Sequence, residues 1–225
     1  AGAPTGTTTA LWRQDADQLR LKMRTGDILA GMKVTSFLQS LPTSLSQVVC
    51  QVKGTGTGIT SANDVGLYNP DTSNNFFLRE GDVLTDGSKL SVMGQMVTGE
   101  SSNRLAVYAT VKTGTTTVTS ANDSAIISPE WFGSTHVMLR EGGPTNGGAL
   151  VVGQITARPS YLRDRILFPS AIIGTVLEPV TTANNAGLIY GYATNFDFAS
   201  TVVARKGTDT GSGLISTALG ESLGA

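Results

Sequence analysis

Along the chain, short apolar runs alternate with clusters of Gly, Asn, Asp, Ser, Thr and Pro. The runs are rich in β-branched and aromatic residues and read as strands; the clusters read as turns. Residues 46–54 (SQVVCQVKG), 64–69 (DVGLYN), 75–80 (NFFLRE) and 89–97 (KLSVMGQMV) predict four strands. Residues 104–112 (RLAVYATVK), 124–128 (SAIIS), 135–141 (THVMLRE) and 149–156 (ALVVGQIT) predict four more, and AIIGTVLEP, AGLIYGYA, STVVARK and GLISTAL a further set. The first part of the chain offers only TALWR, QLRLKMR and MKVTSFLQ, with no opening strand. Some runs alternate, as Leu19, Leu21 and Met23 do against Arg20, Lys22 and Arg24, which predicts one buried face. Others are apolar throughout and predict burial on both faces. ADQLRLKMR also fits a short amphipathic helix, but its counterparts NFFLRE and THVMLRE are strand-like, and the phase predicts a strand.

Three marks recur in phase. The first is Arg-x-Gly, at Arg24/Gly26, Arg79/Gly81, Arg140/Gly142 and Arg205/Gly207; the arginines are 55, 61 and 65 residues apart (24 to 79, 79 to 140, 140 to 205). The second precedes it: GITSANDVGLY (58–68), TVTSANDSAII (117–127) and PVTTANNAGLI (179–189). The third follows it: SVMGQMVTG (91–99) and LVVGQITA (150–157), with ISTALGES (215–222) as a degraded copy. Periods of this length predict a repeat architecture. The expectation is an all-β domain over 1–225, with repeats at about 1–42, 43–99, 100–158 and 159–225. Each has about four short strands, set radially in a propeller-like ring that leaves only short edges. Tandem β-sandwiches of two repeats each are the alternative.

Glycine tolerates φ > 0, so Arg-x-Gly reads first as a corner at a strand end. Asp27 and Asp82 are placed to accept backbone N–H bonds inside that turn, and the arginine fork to hold a carboxylate or backbone carbonyls of an adjacent repeat. A ring of arginines binding an anion is the competing reading. Gly143 and Thr208 stand where the Asp is expected, which argues against a metal cage. Asn63-Asp64, Asn122-Asp123 and Asn184-Asn185 read as turn formers, and one or two carboxylates per loop fall short of the roughly six oxygen ligands of a calcium site.

Composition narrows the function. Of 225 residues 40% are hydrophobic and 15% charged, and the net charge is −1, which gives no electrostatic pull toward nucleic acid or an anionic membrane. No apolar run approaches the ~18–20 residues of a spanning helix. Cys50 is the single cysteine and sits in QVVCQV, the setting of a buried small hydrophobe. His136 is the single histidine, so a multi-histidine metal site is excluded. No nucleophile elbow, Walker or dinucleotide sequence appears. The reading is therefore a non-enzyme with no catalytic residue, metal or cofactor. Among Trp12, Trp131, Tyr68, Tyr161, Tyr190 and Tyr192, the candidates for stacking on a glycan are Trp131, Tyr68 and Tyr190; Trp131 stands between Pro129 and Gly133. The opening AGAPTGTTTA reads as a mature terminus left by signal-peptide removal.

The pieces KMRTGD (22–27), FLREGD (77–82), QVVCQVKGTGTG (47–58) and NDVGLY (63–68) resemble the bacterial secreted and surface tandem-repeat proteins with an N-x-x-G-x-x-A-F signature. The resemblance implies a secreted or surface-anchored, propeller-like protein with no assigned chemistry. The expected function is an extracellular structural or interaction protein that self-assembles or binds another surface component. A carbohydrate-binding module and a phage or virus surface component are the alternatives.

Overall fold

The computed structural model describes residues 8–15, 17–43, 47–71, 75–98, 105–129, 135–144, 150–155, 160–162, 165–175, 180–182, 185–193 and 198–207. They form sixteen strands and no helix, so the chain is all-β. A first, two-stranded sheet pairs β1 (Ala10–Asp15) with β2 (Gln18–Arg24). The second runs in order through β3 (Ile28–Leu29), β4 (Met32–Pro42), β5 (Val48–Thr55), β6 (Val65–Tyr68) and β7 (Leu78–Arg79). The third contains β8 (Lys89–Thr98), β9 (Leu105–Lys112), β10 (Ser124–Ser128) and β11 (His136–Arg140). In the fourth, β12 (Leu150–Ile155) and β13 (Ser160–Leu162) both pair with β14 (Arg165–Thr175), followed by β15 (Ala186–Ala193) and β16 (Phe198–Arg205). All pairings between the strands are antiparallel.

Each sheet packs on the next. Met23 of β2 joins Val34, Cys50 and Val52 of the second sheet in one cluster. Val49, Leu67 and Leu78 of the second sheet meet Leu90, Leu105, Val107, Ala109 and Ile127 of the third. Ala106, Ile126 and Leu139 of the third meet Val152, Ile155 and Ile189 of the fourth. Successive residues of a strand point to opposite faces. In β9, Leu105, Val107 and Ala109 therefore face one neighbour while Ala106 faces the other. In β10 the same alternation buries Ala125 and Ile127 on one side and Ile126 on the other, which is why its three central residues are all apolar.

The sheets share one plan, and one expectation changes. The hydrogen-bonded sheets run from one Arg-x-Gly corner to the next, because β4 pairs forward with β5, β8 with β9 and β12 with β14. The sheets also form no propeller among the described residues; one curls into a half-barrel. The physical reason lies in the opening strands. The register breaks twice in each of β4, β8 and β12. Bulges bend a strand and raise its twist, so these sheets curve more than flat pairing allows. The predicted strand over 75–80 shortens to Leu78–Arg79. The Phe76 ring lies where a Cβ on Gly66 would stand, and only a glycine admits it there.

Candidate functional site

The four recurrent corners are built alike. Gly26, Gly81, Gly142 and Gly207 all have positive φ, at 96°, 91°, 79° and 81°. The arginine carbonyl accepts from the residue three positions on: Asp27 N–H to Arg24 (3.2 Å), Asp82 N–H to Arg79 (3.1 Å), Gly143 N–H to Arg140 (3.0 Å). A positive φ at the third position of a four-residue turn is the requirement that glycine meets without strain. The N–H groups of Gly26, Gly81 and Gly142 then donate forward, to the carbonyls of Val34 (2.8 Å), Leu90 (2.9 Å) and Val152 (2.8 Å), in an early strand of the next sheet. The N–H of Glu80, Glu141 and Lys206 donates back, to Val65 (3.0 Å), Ser124 (2.9 Å) and Ala186 (2.9 Å). The corner therefore joins a closing strand to the sheet that follows it. The Asp27 and Asp82 carboxylates accept from the N–H of Arg24 (3.0 Å) and Arg79 (2.7 Å). Gly143 forgoes that bond and keeps the backbone ones, so the Asp is an addition to the turn.

The Asn turns lock onto the corners. Asn63 and Asn122 accept, through Oδ1, the N–H of Thr60 and Thr119 (2.7 Å each). Their own carbonyls accept from Arg79 Nε (2.7 Å) and Arg140 Nε (2.8 Å). Arg79 also lies over the Phe76 ring, 5.7 Å from its centroid, and Arg140 Nη1 reaches Asp86 at 2.9 Å. At the first corner Arg24 Nε turns instead to Asp27 (3.2 Å). The arginines are directed at groups of the chain itself.

Glu80 ties its corner to the bulge of β8. Its Oε1 accepts from Met93 N–H (3.1 Å), Gln51 Nε2 donates to the Met93 carbonyl (3.0 Å), and Gln39 bonds both the Met96 carbonyl (2.8 Å) and the Met96 N–H (2.9 Å). The backbone groups released where the register breaks between Met93 and Met96 are thus met by side chains from the preceding sheet. Gly94 sits inside this bulge because a Cβ there would stand 2.8 Å from the Tyr108 ring. The GQ mark of the sequence is the bulge. Burial raises the pKa of Glu80, partly offset by the Met93 N–H, and burial also raises that of Asp82 against the opposing Arg79 N–H and charge.

The β1–β2 hairpin is different in kind. Leu11 pairs with Met23 but Trp12 pairs with Leu21, so Lys22 is an extra residue in β2. The bulge reverses the strand's alternation. Met23 turns inward (2% exposed), while Leu21 (43%), Leu19 (68%) and Trp12 (54%) turn outward. The expected single buried face of Leu19, Leu21 and Met23 is therefore split. On the inner side Arg13 (2.8 Å) and Lys22 (2.6 Å) grip the buried Asp71 carboxylate, which also accepts from Val48 N–H (3.3 Å). Asp71 in turn is held by Asn69 Oδ1 through its own N–H (2.8 Å).

Of the aromatics read as glycan candidates, Tyr68 is 5% exposed and packs edge-on against Phe76, leaving no face for a sugar. Tyr190 lies in β15 opposite Leu167 and Thr201. Trp131 and GLISTAL lie outside the described residues. His136 pairs with Ser128 in the β10–β11 ladder. Cys50 is buried, and desolvation pushes its thiol up to about 11. Asp71, Asp86, Gln39 and Gln51 drew no notice in the sequence. The ties they make to Met93, Met96, Arg140 and Lys22 span 42 to 57 positions, and no local spacing announces those ties. No family model, curated protein or solved structure matches this chain.

Proposed function

We propose that the chain is a tandem array of one β unit and serves as a non-enzymatic structural or interaction protein of the cell exterior, of the N-x-x-G-x-x-A-F kind. The observation that carries this reading is the fate of the recurrent polar residues. Arg79, Asn63, Glu80 and Asp82, with their counterparts Arg140 and Asn122, are engaged in holding strands together. A unit whose most repeated side chains are scaffold presents its surface as its working part. The equal bond sets at the corners at Gly26, Gly81 and Gly142 support the copying of one unit. The scarcity of charged side chains and the abundance of Gly and Thr suit an exterior protein. Fractionation of the producing cells tests it: recovery from the cell surface or the medium is expected, and confinement to the cytoplasm overturns it.

A further inference from the structure

The chain has a single cysteine and so no disulfide between its own residues. Lys22 of the first hairpin and Asp71, beyond β6, meet in a setting where another covalent tie can form. Lys22 Nζ lies 2.6 Å from Asp71 Oδ1, and the two side chains are 15% and 8% exposed. Oδ2 of the same carboxylate is held separately, by Arg13 Nη1 (2.8 Å) and the Val48 N–H (3.3 Å). The Asp71 charge reaches Cys50 and Tyr68, which belong to the apolar cluster between the hairpin and the second sheet. An amine thus touches one oxygen of a withdrawn carboxyl group whose other oxygen already has two donors.

We infer that Lys22 and Asp71 condense into an intramolecular amide, Nζ to Cγ, with loss of one water. The step balances within the pair. One ammonium proton crosses to Oδ1, and the freed lone pair of the amine attacks Cγ, one carbon–oxygen bond away. The N–C bond forms and the C–Oδ1 bond breaks. A second hydrogen of the amine goes with Oδ1, which departs as water, and the nitrogen keeps one hydrogen. Nothing is oxidised or reduced, and the two charges of the ion pair cancel. During the attack negative charge builds on Oδ2, where Arg13 and the Val48 N–H already point. Donors set in advance on a developing oxyanion are a main source of acceleration in acyl transfer.

Geometry and burial select this pair. Groups held in contact react at effective molarities of about 10⁵–10⁸ M, far above that of water, which favours the closed amide over its hydrolysis. The low exposure of both side chains keeps solvent from the new carbonyl. By contrast, Lys53 stands 3.2 Å from Asp64 with its side chain 49% exposed, and that solvated pair stays an ordinary ion pair. The amide joins positions 49 apart in sequence and fixes the hairpin to the second sheet, the service that disulfides give to small secreted domains. It depends on this geometry alone and not on where the protein resides.

The intact mass of the purified full chain, measured after denaturation, tests this. The parent should be lighter than its sequence by the mass of one water, and proteolysis should release one branched peptide joining Lys22 to Asp71. Lys22→Arg keeps a cation for Asp71 but no amine to condense, and should have its full mass. Lys53→Arg should remain one water light. A parent at full mass overturns the proposal. So does a Lys22→Arg chain that is still one water light, since the loss then lies elsewhere, as in a cyclised aspartyl residue. The parent's own mass decides the first outcome, whether or not a variant folds.

Discussion

At Gly81 and Gly142 φ lies in the left-handed region, and at Gly142 an added Cβ would also stand a tight 3.3 Å from the Ala121 carbonyl oxygen. Gly81→Ala and Gly142→Ala should each cost about 1–2 kcal/mol in urea unfolding. Asp82→Gly, which recreates the third corner, should cost less, about 1 kcal/mol for a lost charge-assisted cap on Arg79 N–H. The arginine–glycine marks were legible because a turn's chemistry is local. Glu80 was legible only as part of the mark, since its burial arises from β8. Its pKa is raised above 4.5, so the folded state holds the proton more tightly than the unfolded chain. That contribution is fully present below pH 4.5 and is lost as pH rises through the folded pKa. Glu80→Gln keeps an oxygen for Met93 N–H and cannot ionise. Its stability should therefore vary less between pH 4 and 7 than the parent's, and should exceed it at neutral pH, as read by urea midpoints.

The strands show what an element draws from elsewhere. Apolar runs with β-branched residues predicted the strands at Gln18–Arg24, Ser124–Ser128 and Ala186–Ala193 in the places where they form. The bulges were not predicted, since a bulge is a mismatch between two strands and neither alone displays it. The β8 bulge depends on glutamines of the second sheet. Gln51→Leu leaves the Met93 carbonyl buried without its donor and should cost about 1–3 kcal/mol. Gln39→Met removes the partners of both Met96 backbone groups. Hydrogen exchange at the Met96 amide should accelerate well before global unfolding. In β2 a single extra residue, Lys22, decides which leucines meet water, because a one-residue shift moves side chains to the other face.

Across the whole molecule, the ties between sheets are long in sequence. Asp71→Ala removes the anion that Arg13 and Lys22 share and should cost about 2–3 kcal/mol. Proteolysis should then begin within residues 10–24. Cys50 lies between the first and second sheets with its thiol raised from 9.0 to about 11 by burial, and burial also raises Tyr68 and Tyr108 above 10.0. The unfolded chain releases these protons first, so their contribution to stability is complete below pH 9 and is lost as pH rises toward 11. A thiol reagent should leave Cys50 unmodified at neutral pH until the chain unfolds.

The amino-acid sequence by itself determined the strand-forming character of the chain, the recurrence of its arginine–glycine corners and the Asn turns before them. All three depend on near neighbours: backbone preference, side-chain period and turn geometry. Tertiary structure alone decided that the sheets run from corner to corner, that their opening strands bulge and curl, that Asp71 holds the first hairpin, and that Trp12 and Leu21 face outward. Each of these is a relation between segments tens of residues apart, set by packing and by buried backbone groups that must find partners.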